Sequence, residues 1–194
     1  MPVQELPQEG SRAHPRGAFA LGPVLEQIAS LTQCIQGYDR RLDTVCRERY
    51  PETVLLRQVE GIGPLTALTF VLTLEDPYRF EKSRSVGAYL GLVPATARSG
   101  DRDPQKHISK EGDEMLRKLL VSSAHYILGP FGSDSDLRRH GEKIASRGAK
   151  NAKKRAAVAV ARKLSVLLHR LWVTGEVYDP LHNTHRRARR EEVA

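Results

Sequence analysis

The 194-residue chain has few cysteines and few aromatics, and each shortage excludes a mechanism. Two cysteines, Cys34 and Cys46, cannot build a disulfide framework or a cysteine-rich zinc site. Aromatic residues make up 6% of the chain, a poor basis for stacking bases on an aromatic platform. No apolar run reaches the roughly 20 residues of a membrane-spanning helix. Met1–Arg16 is dominated by Pro, Gly, Gln, Glu and Arg and holds no apolar signal core. The seven histidines, His14, His107, His125, His140, His169, His182 and His185, are scattered without metal-ligand spacing, so no metal site is expected. These absences point to a cytoplasmic protein without a membrane partner.

Acid is also missing, in one place. From Lys143 to Gly175 there are nine Lys and Arg residues and no Asp or Glu, which leaves 22 basic against 23 acidic residues elsewhere. The formal net charge of +8 therefore belongs largely to one segment, as expected of a surface for a polyanion such as DNA and of a nucleoid-associated protein.

The pattern along the chain is helical throughout. Residues 1–20 read as a flexible leader, because Pro2, Pro7, Gly10, Pro15 and Gly17 break any periodicity. Over 21–50, apolar or aromatic residues fall at Leu21, Val24, Ile28, Leu31, Ile35, Tyr38, Leu42 and Val45. That alternating spacing of three and four is a heptad seam. It fits a coiled-coil element joining copies of the chain, or one long amphipathic helix packed on its own domain. Residues 51–180 read as one compact helical domain, and 181–194 as a basic mobile tail. Within the domain, Glu52–Glu60 predicts a helix, Gly61-Ile62-Gly63 a tight turn, and Pro64–Leu74 a second helix with Pro64 at its first position. This is a helix-hairpin-helix-like unit, whose glycines and free N–H groups could meet a phosphate. A ligand-free packed hairpin has the same pattern. Thr69–Leu74 is β-branched enough to be ambiguous. A short helix over Lys82–Leu90 precedes a long polar loop, 91–108. Ser109 is a plausible cap for a helix to Leu128, Ser135–Ser146 a weaker helix, and Lys153–Val173 a strong one. The fold class expected is all-α: a long heptad helix followed by a compact helical domain.

Ser99 in the loop stands beside Arg98 and Gly100, with Arg102, Lys106 and Lys110 close by. A serine hydroxyl attacking a phosphodiester needs cationic donors around the phosphorus and a neighbour to take its proton. The same serine could simply make a turn.

Four stretches together resemble a known family. They are Val59-Glu60-Gly61-Ile62-Gly63-Pro64-Leu65-Thr66-Ala67, Phe80 to Pro94 with Leu90-Gly91-Leu92-Val93-Pro94, the Arg98-Ser99-Gly100 step, and Ile108-Ser109-Lys110-Glu111-Gly112 leading to Leu116-Arg117. In order and spacing they resemble the C-terminal transposase domain of the IS-one-ten, IS-one-sixteen and IS-nine-oh-two insertion-sequence family. The likeness covers about residues 51–128, with fainter similarity to Pro180, and the heptad helix resembles the coiled coil preceding this domain. The resemblance implies a DNA recombinase that moves an insertion sequence, with Ser99 as the nucleophile that forms a phosphoserine link to DNA. It further implies a guide RNA as a partner in some members. Family members carry an N-terminal RuvC-like domain whose carboxylate quartet binds divalent metal. Residues 1–50 do not supply that fold, so no cofactor is expected on this chain, and the metal is expected only with that missing domain. The expected nucleic-acid contacts are Gly61, Gly63, Thr66, Arg98, Arg102, Lys106, Lys110, Arg117, Lys150, Lys153, Lys154 and Arg155. Two functions stay open: a transposase or recombinase domain acting through Ser99, or a truncated, non-catalytic nucleic-acid-binding and oligomerisation module. Either could work beside a full-length transposase.

Overall fold

A computed structural model describes residues 15–95, 107–148 and 150–191. The chain divides into two units, Met1–Arg41 and Leu42–Ala194. The described residues form eight α-helices and a 3-10 turn, with one isolated antiparallel bridge between Pro94 and Ile108.

The first unit holds most of α1 (Pro15–Arg49). The helix starts inside the stretch expected to be a leader. Proline suits a first helical position, because its missing N–H would have no intrahelical partner there. The seam residues Leu21, Val24, Ile28, Leu31, Ile35 and Tyr38 are all between 53 and 64% exposed.

The second unit begins with the last turns of α1, where Cys46 is buried. It continues with α2 (Thr53–Leu56), α3 (Pro64–Leu74), a 3-10 turn at Pro77–Arg79, α4 (Arg84–Tyr89), α5 (Glu114–Leu128), α6 (Asp136–Ala145), α7 (Ala152–Thr174) and α8 (His182–Glu191). The central element is α7, which meets α2, α4, α5, α6 and the 3-10 turn. Its buried face runs Ala156, Ala157, Val160, Ala161, Leu164, Leu168 and Leu171, a three-four repeat that presents one stripe to the core. Small residues bring the neighbours close. A Cβ on Gly141 of α6 would lie 2.5 Å from Leu128 Cδ2 and 2.7 Å from Val160 Cγ2. His169 is buried on the same face, with Nδ1 2.9 Å from Ser83 Oγ and Nε2 2.8 Å from the Pro77 carbonyl oxygen. Because a carbonyl only accepts, Nε2–H donates to it and Nδ1 accepts from the serine, which joins α7 to the chain before α4.

Three boundaries differ from the sequence expectation. The helix expected over 52–60 is only α2. After Leu56 the chain tightens through i→i+3 bonds, Val59 N–H to Leu56 and Ile62 N–H to Val59, before Gly61 turns it at φ +85°. The helix expected from Ser109 starts at Glu114, capped by Asp113, whose Oδ1 accepts from Leu116 N–H at 2.6 Å. The residues expected as a mobile tail include α8, whose first turn is tied to Asp136: Oδ2 accepts from Asn183 N–H at 2.7 Å and Oδ1 from Thr184 Oγ at 3.1 Å. A carboxylate at a helix N-terminus satisfies free N–H groups and opposes the dipole. The ambiguous stretch Thr69–Leu74 is helical.

Candidate nucleic-acid interface

The two ends of the serine loop are clasped together. Lys110 N–H donates to the Gly91 carbonyl at 3.2 Å, Ser109 N–H to Val93 at 2.8 Å, and Ala95 N–H to His107 at 2.9 Å. Gly91 (φ +65°) and Gly112 (φ +87°) let the two strands touch backbone to backbone. A Cβ at Gly91 would lie 2.1 Å from the Glu111 oxygen, and one at Gly112 would lie 2.1 Å from the Tyr89 oxygen. Only glycine combines that φ with so close an approach. Arg117 closes the clasp, with Nη1 3.3–3.4 Å from the carbonyl oxygens of Leu90, Glu111, Gly112 and Asp113. One nitrogen of its guanidinium thus helps to hold the two loop ends together. Arg98, Ser99, Arg102 and Lys106 lie between Ala95 and His107, outside the described residues.

The clasp forms one edge of a groove of about 1350 Å³ between α4, α6, α7 and the segment before α8. Eight Lys and Arg residues line it against three carboxylates, Asp136, Glu176 and Asp179. All three carboxylates are engaged. Asp136 caps α8, and Glu176 pairs with Arg170 at 2.8 Å. Asp179 pairs with His185 Nδ1 at 3.0 Å. The hydrogen bond from His185, helped by Leu181 N–H, holds the Asp179 carboxyl below its ordinary range. The remaining field in the groove is positive.

Two further groups in the groove are shifted. Burial lowers the His140 pKa, and the charges of Lys163, Arg147 and Lys143 push it the same way. Burial also pushes the Tyr178 phenol up to about 12, with Asp136, Asp179 and Glu60 adding to it. At neutral pH, His140 and Tyr178 are therefore both uncharged.

Of the expected contacts, Lys110, Lys150, Lys154 and Arg155 line this groove. Lys153 is exposed on α7 outside it, and Gly63 is exposed at the start of α3. A Cβ on Gly61 would lie 2.9 Å from Tyr126 Cδ1, so this glycine admits the α5 tyrosine, and Thr66 is buried. Arg162, Lys163 and Arg170, which belong to the acid-free segment expected to face a polyanion, line the groove too. Sequence reasoning missed Arg84 and His140, which nothing local marks.

Among the described residues, no three of His, Cys, Asp and Glu come together as metal ligands. No described helix is long and apolar enough to cross a membrane.

Residues 54–132, which contain the clasp and the serine loop, match the sequence profile described as the Transposase IS116/IS110/IS902 family. Over this stretch the chain is similar to that transposase family. It is 29% identical over 181 residues to the transposase for insertion sequence element IS1111A of Coxiella burnetii, covering 90% of this chain and 48% of that protein. It is 31% identical over 124 residues to the transposase for insertion sequence element IS1328 of Yersinia enterocolitica, covering 64% of this chain and 36% of that one. The chain thus spans about half or less of the length of these curated relatives.

Proposed function

We propose that this chain is the serine-bearing DNA domain of an insertion-sequence transposase. The observation that carries the reading is the clasp: the two family stretches flanking Ser99 anchor both ends of its loop at the edge of a basic groove. DNA phosphates lie in the groove, and Ser99 Oγ attacks a phosphodiester. One Oγ–P bond forms and one P–O ester bond breaks. The departing oxygen leaves as an alcohol with the proton that the serine gave up, and the rim cations stabilise the crowded phosphorus centre. A guide RNA and a full-length transposase are the further partners this reading includes. The divalent metal of the family belongs to its RuvC-like domain.

A nicked suicide DNA substrate tests the chemistry, because the cut fragment diffuses away and leaves any covalent adduct trapped. The adduct is expected with the native chain and absent with Ser99→Ala. An adduct that survives Ser99→Ala refutes Ser99 as the nucleophile.

A second reading is a binding and oligomerisation module without catalysis, and the exposed α1 seam favours it. It predicts salt-dependent DNA binding and self-association through residues 21–50, with no adduct from the native chain.

A further inference from the structure

The groove face of α7 is neither uniformly charged nor uniformly apolar. Cations recur every seven or eight residues, first Lys154 with Arg155, then Arg162 with Lys163, then Arg170, which pairs with Glu176; Val158 and Ala159 fill the first gap and Val166 and Leu167 the second. At a rise of about 1.5 Å per residue these cationic groups stand about 10–12 Å apart, with an aliphatic patch between each pair. The aliphatic residues are half-buried and line the groove. Across from them the clasp adds further apolar surface, including Pro94 and Ile108.

A DNA duplex fits such a wall poorly. It presents continuous rows of phosphates and turns its bases inward, so Val158, Ala159 and Val166 would face charged, hydrated phosphates. A compact metabolite also fits poorly, because about 1350 Å³ exceeds the roughly 300–1,000 Å³ of a small-molecule pocket. An unpaired strand matches both features. Its phosphates can reach the spaced cations while its exposed base faces cover the aliphatic patches, and arginine guanidinium planes offer further stacking surface.

The geometry points to an unpaired DNA strand as the occupant of the groove between α4, α6 and α7, with bases against the α7 aliphatic patches and phosphates on the intervening arginines. This inference rests on the reading that the domain acts on DNA, and it specifies the form of DNA that is held. The strand runs beside the clasp, so a single-stranded stretch is delivered to the edge from which the serine loop departs.

Fluorescence anisotropy with the full chain tests it. The probes are one short labelled sequence as single-stranded DNA, as duplex DNA and as single-stranded RNA. The expected result is single-stranded DNA bound at least about tenfold more tightly than duplex. Val166→Asn should weaken the single strand about fivefold or more and leave the duplex within about twofold, because it removes a base-facing apolar contact and no charge. If that variant is misfolded by circular dichroism, Ala159→Ser in the neighbouring gap replaces it. In the native chain, single-strand affinity should also fall less steeply with salt than duplex affinity, because part of it is not ionic. Equal or tighter binding of duplex overturns the inference and leaves the DNA reading standing. Tighter binding of RNA overturns the commitment to a DNA strand. Failure to bind DNA in any form overturns the DNA reading itself.

Discussion

Replacing Gly91 by alanine separates two costs that usually arrive together. Gly91 and Gly175 share a φ of +65°, so an alanine at either position meets the same left-handed backbone. Their surroundings differ. A Cβ at Gly175 meets nothing within 4 Å, whereas one at Gly91 lies 2.1 Å from the Glu111 oxygen and 2.5 Å from the Glu111 nitrogen. Ordinary contact begins near 3.4 Å, so the clasp strands must part by more than about 1 Å. That movement also strains the Lys110-to-Gly91 hydrogen bond. Gly175→Ala should cost about 1–2 kcal/mol for the backbone alone. Gly91→Ala should cost that amount plus about 1–3 kcal/mol of overpacking, about 2–5 kcal/mol in all. Urea melts followed by far-UV circular dichroism measure both, provided the m-values stay equal. Equal losses at the two positions would refute the backbone-on-backbone clasp.

Three other changes have defined outcomes. His169→Leu leaves the Pro77 carbonyl and the Ser83 hydroxyl without their partner in the core, and should cost about 1–3 kcal/mol in the same melts; an unchanged midpoint would contradict the hydrogen bonds assigned to this ring. His140 has a lowered pKa in the folded chain, so it contributes stability that is complete above its unfolded value of about 6.5 and is lost as pH falls from there through the folded value. His140→Gln should flatten that acid-side decline, and an identical stability profile in the two proteins would show that the group is not shifted. Ile28→Asp with Leu31→Asp places charges in the exposed heptad seam, so sedimentation should show loss of self-association; an unchanged mass would remove the seam as an oligomer contact.

The helical architecture is legible because periodicity reports burial directly. On α7, Val160, Leu164, Leu168 and Leu171 are buried as their spacing predicts, and on α5 so are Leu116, Leu120, Ala124 and Ile127. Roles that depend on a distant partner are not legible. Gly61 has the same local signature with or without the Tyr126 ring beside it, and only the docking of α5 brings that ring close. Ser109 and Asp113 are both acceptable helix caps. Ser109 loses that role because Lys110 and Gly112 both take positive φ, which keeps the helix from starting before Glu114. Arg117 reads as a surface cation until four carbonyls converge on it.

The groove shows why charge arithmetic finds a segment but not a site. The acid-free stretch 143–175 supplies only one wall. The other wall depends on how closely α7 approaches α4, and Gly87 sets that approach: a Cβ there would lie 3.0 Å from Arg162 Cγ, so the arginine stem crosses the place a side chain would fill. Arg84 begins the same short helix, and Gly91 follows its end by two residues. One glycine contact therefore brings three things into register: a cation from α4, the basic face of α7, and the clasp that holds the serine loop. Gly87 and Arg162 lie 75 positions apart in sequence. The family match covers the clasp side of this arrangement. The α7 side lies beyond residue 132, the end of the family match, so the two walls of the groove are surfaces that only the fold unites.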